Sequence, residues 1–373
     1  MIKNSLRWSG SAGRLARVAS RCAASLAVAL SFSPAQAAPA KVPAIYFGIG
    51  TESSEYWAAT VVGAKAVAAS VNARLQVMTS EFQGQKFLQD YGAIFAAGCK
   101  DCVAILDPVS SAFTKAIVDR ATSADAKIIT IWNRPDNIHP YDLDPSNWIA
   151  HIAFDGVESG YRNGMALCKA IGGSGGVVAI EGVADNPSTK QRFAGLKKAM
   201  AECPGMKLLD RQYADWDQTK AQVLTRGWLA RYGNTLKAVF SENDSMAIGA
   251  IGAIAALKER GLAGKVAVSG SDGSIAALNL IKSGDMVSTM WIDGVMQGAF
   301  ATALGYGAAT GDIDVQKLSH AQRDVYLKQT LVTKENVDDI LNRKVDPADY
   351  TYEKVKARMW QSVASQIPPA AFK

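Results

Sequence analysis

Short runs rich in Val, Ile and Ala recur along the chain, separated by longer Ala-rich or amphipathic stretches. The runs predict strands over 44–49, 75–78, 103–106, 127–131 and 151–154, with helices near 57–72, 85–97 and 111–123 between them. The pattern then restarts. Strands are predicted over 177–180, 208–211, 238–240 and 266–268, and helices near 188–201, 219–231, 244–260 and 275–282. Strand runs without polar alternation suit a parallel sheet covered by helices on both faces. Two rounds of strand–helix alternation therefore predict an α/β chain of two doubly wound, Rossmann-like lobes.

The join falls near Asp155-Gly156. A second crossing is expected near Trp291, ahead of a helix over 295–306, and a third before a strand over 326–332. The expected boundaries are 42–154 plus 293–317 for the first lobe and 155–292 plus 318–340 for the second. Three crossings make a hinge that permits closing and restrains twisting. Residues 341–373 carry Pro347, Pro368 and Pro369 and a helical segment near 352–365. The pattern does not place this extension.

Residues 1–37 read differently. Lys3, Arg7, Arg14, Arg17 and Arg21 come with no acid, an apolar run follows over about 23–32, and Ala35-Gln36-Ala37 closes the segment. This order predicts a secretory signal cleaved before Ala38. The run is too short to remain as a membrane-spanning helix. The remaining chain is expected in the periplasm, away from ATP and NADH. The formal charge of +6 includes the five cations of the signal, which leaves +6 − 5 = +1 for the rest. No basic stripe remains to attract nucleic acid.

Only three histidines occur, His139, His151 and His320, and they are dispersed. No metal site, cofactor or catalytic residue is assigned. Four cysteines follow the signal. Cys168 and Cys203 fall near the ends of two helices flanking one strand, which predicts a bridge between them. Cys99 and Cys102, just ahead of the strand over 103–106, read as a local loop closure or as a reduced pair.

In open parallel sheets ligands bind beyond the C-terminal ends of the strands. The turns there carry Thr51 through Trp57, then Trp132-Asn133-Arg134, a loop leading to Arg192, Ala214-Asp215-Trp216-Asp217, Glu242-Asn243-Asp244 and Ser271-Asp272-Gly273. Aromatic rings can lie on the C–H faces of a sugar. Carboxylate, carboxamide and guanidinium groups can fork onto neighbouring hydroxyls. Each residue also has an ordinary structural use: Ser54 and Asp272 as helix caps, Asn243 as a turn residue, Arg134 and Arg192 in ion pairs, Trp57 and Trp216 as core. Trp148 and Trp228 are assigned to the core.

From Ala44 to about Val337 the chain resembles the ribose- and galactose-type periplasmic binding proteins of ABC transporters. Tyr56-Trp57 stands where that family has paired aromatics. Ile129-Thr130-Ile131-Trp132-Asn133-Arg134 is similar to its "ITLDR" turn, and Gln191-Arg192 to its "R.GF" helix. Ala214-Asp215-Trp216-Asp217 is similar to "ADFD", and Val239 through Ala247 to "VFAQNDEMA". Gly270-Ser271-Asp272-Gly273 resembles "GFDG". The resemblance implies a type I periplasmic binding fold that takes a sugar or polyol through Tyr56, Trp57, Asn133, Arg134, Arg192, Trp216, Asn243 and Asp272, and Ser54 is a further candidate from its place in the turn after the first strand.

The family's last hinge strand often supplies a ligand Gln, where this chain has Ile292. Asp293 replaces that contact, Trp291 turns inward, or the contact is lost. The implied partner is an ABC permease in the membrane, with the protein a monomer. The alternative reading is a receptor for a chemosensory or two-component sensor.

Overall fold

A computed structural model describes residues 42–100, 102–259 and 265–364; the expected signal at 1–37 lies outside them. The first lobe begins with β1 (Ile45–Ile49), α1 (Glu55–Ser70), β2 (Leu75–Thr79), α2 (Gly84–Ala96), β3 (Val103–Leu106) and α3 (Ser111–Ser123). It continues with β4 (Lys127–Ile131), α4 (Pro140–Leu143) and β5 (Trp148–Ala153). The second lobe holds α5 (Gly156–Ala170), β6 (Ser174–Glu181), α6 (Pro187–Glu202), β7 (Gly205–Tyr213), α7 (Gln218–Tyr232), β8 (Leu236–Ser241) and α8 (Asp244–Lys258). It ends with β9 (Ala267–Asp272), α9 (Ile275–Ser283) and β10 (Ser288–Ile292). The chain then runs through α10 (Gly294–Thr310), α11 (His320–Arg323), β11 (Asp324–Tyr326), β12 (Gln329–Val332), α12 (Val337–Leu341) and α13 (Tyr352–Arg358).

Two six-stranded sheets result, in the orders β11-β5-β4-β3-β1-β2 and β12-β10-β9-β8-β6-β7. The first is parallel throughout. In the second only β12 runs antiparallel, against β10. The central strands β3 and β5 are buried at every position, as their unbroken apolar sequences require. Trp148 and Trp228 are core residues, with indole N–H groups bonded to Thr130 Oγ1 at 3.0 Å and Asp210 Oδ2 at 2.9 Å.

The expected boundary at residue 318 needs correction. The single strand expected over 326–332 is two strands: β11 pairs with β5 in the first sheet, and β12 with β10 in the second. The third crossing is therefore at Leu327-Lys328, and α11 and β11 belong to the first lobe. The unplaced extension also finds its place. Tyr350, Tyr352, Val355 and Met359 join the first-lobe core with residues of α1 and α10. The tail then pairs with the third crossing, through Lys328 N–H to Ser362 O at 2.8 Å and Ala364 N–H to Tyr326 O at 2.8 Å. Since α12 packs on α9 in the second lobe, the tail makes a fourth passage between lobes.

Cys168 and Cys203 form a disulfide that ties the ends of α5 and α6, and Cys99 bonds Cys102 in the loop before β3.

Candidate functional site

Every strand-to-helix turn at the C-terminal edge of β1, β2, β3, β4, β6, β7, β8 and β9 contributes to one cavity of about 340 Å³ between the lobes. Of the sequence-predicted residues, Ser54, Tyr56, Trp57, Asn133, Arg192, Trp216, Asn243 and Asp272 line it. Backbone strain concentrates in the same walls. Phe82, Trp132, Trp216 and Asp272 all have positive φ, at 53°, 61°, 64° and 127°. Non-glycine residues adopt such angles at a cost, and cluster where a site fixes them.

The first-lobe wall is aromatic and internally bonded. Trp132 Nε1 donates to the Tyr56 hydroxyl at 2.7 Å, and that hydroxyl donates to Gln297 Oε1 of α10. The Tyr56 ring lies 5.0 Å from that of Trp57 and 5.8 Å from that of Trp132. Tyr56 lines the cavity, with its hydroxyl bonded inside the protein. Asn133 donates through Nδ2 to Asp107 Oδ1 at 2.6 Å, while its own buried Oδ1 has no partner. Burial pushes the Asp107 carboxyl up to about 6, against the lowering effect of the Asn133 bond.

The second-lobe wall is built around Arg192. Its guanidinium lies 5.5 Å from the Trp132 ring centroid and 5.7 Å from that of Trp216, and donates to the Glu242 carbonyl at 2.5 Å. Its Nε is buried without a partner. Trp216 lies flat on Gly182, where an added Cβ would come within 2.0 Å of the indole. Asn243 caps α8 by accepting from Met246 N–H at 2.9 Å, which leaves its amide nitrogen for the cavity. Asp272 does not cap α9; Ser274 does, accepting from Ala277 N–H at 3.2 Å. Burial raises Asp272 well above the usual carboxylate range, the neighbouring Asp244 adds to the rise, and Arg192 opposes it. Asp244 is raised to about 6 by burial, against bonds from Thr289 and Ser274.

Three predicted residues do not reach the cavity. Arg134 turns away, pairing through Nε with Asp324 Oδ1 at 3.1 Å and donating to the carbonyls of Pro135, Asp136 and Ile138. Trp291 packs on Gly273 and beneath the guanidinium of Arg343, 4.8 Å from its ring centroid. Asp293 caps α10 and pairs with Arg343 at 2.6 Å, a hinge role matching that of Asp155 at the start of α5.

The pattern of turns missed Phe82 and Asp107, although both follow strands by the rule that selected the others. It also missed Asn186, Ser188 and Gln218, which lie on the same rim.

The lobes touch across the cavity mouth. Ile275 N–H donates to Glu55 Oε2 at 2.6 Å, and Asn186 Nδ2 donates to Val109 O at 3.2 Å. These contacts mark a closed conformation. Among the described residues no cluster of three or more His, Cys, Asp or Glu side chains could hold a metal ion.

A family model described as a periplasmic binding protein domain matches residues 45–313, well over half the chain. The chain belongs to the periplasmic binding protein family. It is 34% identical to the crystal structure of a twin-arginine translocation pathway signal protein from Burkholderia phytofirmans, with a TM-score of 0.79, covering 87% of this chain and 98% of that one. An ABC transporter periplasmic solute binding protein from Actinobacillus succinogenes, solved with bound D-allose, is 26% identical, with a TM-score of 0.68 and coverage of 80% and 99%. A putative rhizopine-binding protein of Rhizobium meliloti is 29% identical over 246 residues, which are 65% of this chain and 74% of that protein. The match accounts for the two-lobed fold and for the cavity between the lobes.

Proposed function

We propose that this periplasmic binding protein captures a small sugar or polyol between its lobes and delivers it to the membrane permease of an ABC transporter. The observation that carries the reading is the cavity itself. Walls from both lobes combine the aromatic rings of Trp57 and Trp216 with the polar side chains of Asn133, Arg192, Asn243 and Asp272. Buried polar groups without partners are costly, and a hydroxyl-rich solute supplies both donors and acceptors. The aromatic faces cover its C–H surfaces.

Relatives support the class: one solved structure holds D-allose, and one curated relative is named a ribose import binding protein, from Haemophilus influenzae. The protein works as a monomer in the periplasm, exported by the signal at 1–37, and binds its solute without turning it over.

A thermal-shift screen of the mature protein against neutral sugars and polyols, including D-allose, ribose and xylitol, tests the reading, since a tight ligand raises stability by mass action. One or more members are expected to raise the melting temperature and to titrate in calorimetry. A flat response across the panel refutes it.

A further inference from the structure

Glu242 is fully buried in the turn between β8 and α8, behind the cavity wall rather than in it. It stands where the ladder between β6 and β8 ends. Ile180 pairs with Ser241 there, and Glu242 N–H donates to Ile180 O at 3.1 Å. In a parallel ladder the next bond would run from Gly182 N–H to the Glu242 carbonyl. The protein makes a different bond. Gly182 N–H donates to the Glu242 carboxyl, to Oε2 at 2.8 Å, while the Glu242 carbonyl accepts from Arg192 Nη1 at 2.5 Å. The side chain thus stands in for its own backbone acceptor and leaves that acceptor to the guanidinium. The same Gly182 underlies the Trp216 indole. The preceding Glu181 carbonyl accepts from Ala214 N–H at 2.8 Å, at the start of the Trp216 turn.

We infer that Glu242 is a positioning residue for the site: its carboxyl fixes the Gly182 turn under Trp216 and frees its carbonyl to hold Arg192. The inference rests on the binding reading above and deepens it by one residue behind the wall. Without a side-chain acceptor, Gly182 N–H either stays buried and unpaired or takes the Glu242 carbonyl from Arg192. Either outcome disturbs the wall. Arg192 lies 5.5 Å from the Trp132 ring centroid of the opposite lobe, so a shift of its guanidinium is felt across the cavity. Burial raises the Glu242 carboxyl well above the usual carboxylate range, the Gly182 bond opposes the rise, and the nearby Glu181 adds to it. A glutamine, which keeps an acceptor without charge, should therefore serve in its place.

Two variants of the mature chain test it. Glu242→Met keeps the bulk and removes the acceptor, and Glu242→Gln keeps both. The first readout needs no solute. It is the indole N–H cross-peak of Trp216 in a two-dimensional NMR spectrum, assigned as the peak lost in Trp216→Phe. The peak should shift or broaden in Glu242→Met and stay in place in Glu242→Gln. The second readout is calorimetry with D-allose, ribose and xylitol. Any of these that the parent binds should bind Glu242→Met about tenfold or more weakly, and Glu242→Gln within about threefold of the parent. Should Glu242→Met not fold, Glu242→Asp replaces it: one methylene shorter, it draws the carboxyl away from Gly182, and the same shift and loss are expected. A parent-like cross-peak and affinity in the Met or Asp variant overturns the inference, and so does an equal loss in Glu242→Gln. If the parent binds none of the three compounds, the polyol reading falls, and the cross-peak alone decides for or against Glu242.

Discussion

Arg192 favours the charged form of Asp272 in the second-lobe wall, and each is expected to meet the solute. Replacing either with Ala strands hydroxyls and the remaining charge in a dry cleft. Affinity should fall by about 2–3 kcal/mol, roughly 30- to 150-fold, in calorimetry. Unchanged affinity in both variants would remove them from the site. Asp107 gives a stability prediction of definite sign. Its carboxyl rises from 3.8 to about 6 in the fold, so the folded chain holds the proton more tightly than the unfolded chain. That contribution is fully present below pH 3.8 and lost as pH climbs through about 6. Asp107→Asn keeps an acceptor for Asn133 and removes the loss. Urea denaturation of the ligand-free variant at pH 7 should show a gain of up to about 3 kcal/mol, with a flatter profile between about pH 4 and 6. A less stable variant at pH 7 would contradict the burial account.

Much of this wall was legible from residue type and place after a strand. Asp107 follows β3 by the same rule, but its bond to Asn133 is visible only in the fold. Arg134 could not be judged, because Asp324 meets it only through the pairing of β11 with β5.

At the scale of elements, α5 and α6 form the frame that sets Arg192. An added Cβ at Gly160 would lie 1.9 Å from the Arg192 carbonyl, so the helices touch backbone to backbone there. Gly160→Ala must push α6 outward, at a cost of about 1–3 kcal/mol in stability, and should weaken solute binding through displaced Arg192. Denaturation and titration of the same variant check both effects. The Cys168–Cys203 bridge fastens the far end of this helix pair. Exchanging both cysteines for Ser should cost about 2–4 kcal/mol of stability in urea, and an unaltered midpoint would show the bridge to be idle.

The buried strands and long helices were readable because their apolar runs match one period over many residues. The break between β11 and β12 was not, since Leu327-Lys328 carries no Gly or Pro and the apolar pattern runs on through a change of sheet. Likewise Asp293 sits beside a predicted hinge strand, but only the fourth passage of the chain reveals Arg343 as its partner.

The molecule as a whole is two lobes in contact across a cavity that neither builds alone. Trp57 and Asn133 stand on one side, Trp216 and Asp272 on the other, and Arg192 reaches from the second lobe to the Trp132 ring of the first. A solute bonded to both walls stabilises closure by its differential affinity for the closed form. The Glu55 bond to the α9 amide acts in the same direction. The most direct test is a calorimetric titration of the best solute from the screen against Trp57→Ala and Trp216→Ala, one variant per lobe. Each is expected to bind about tenfold or more weakly than the parent. Parent-like affinity in either variant would mean that one lobe alone holds the solute, and the two-walled account would be wrong.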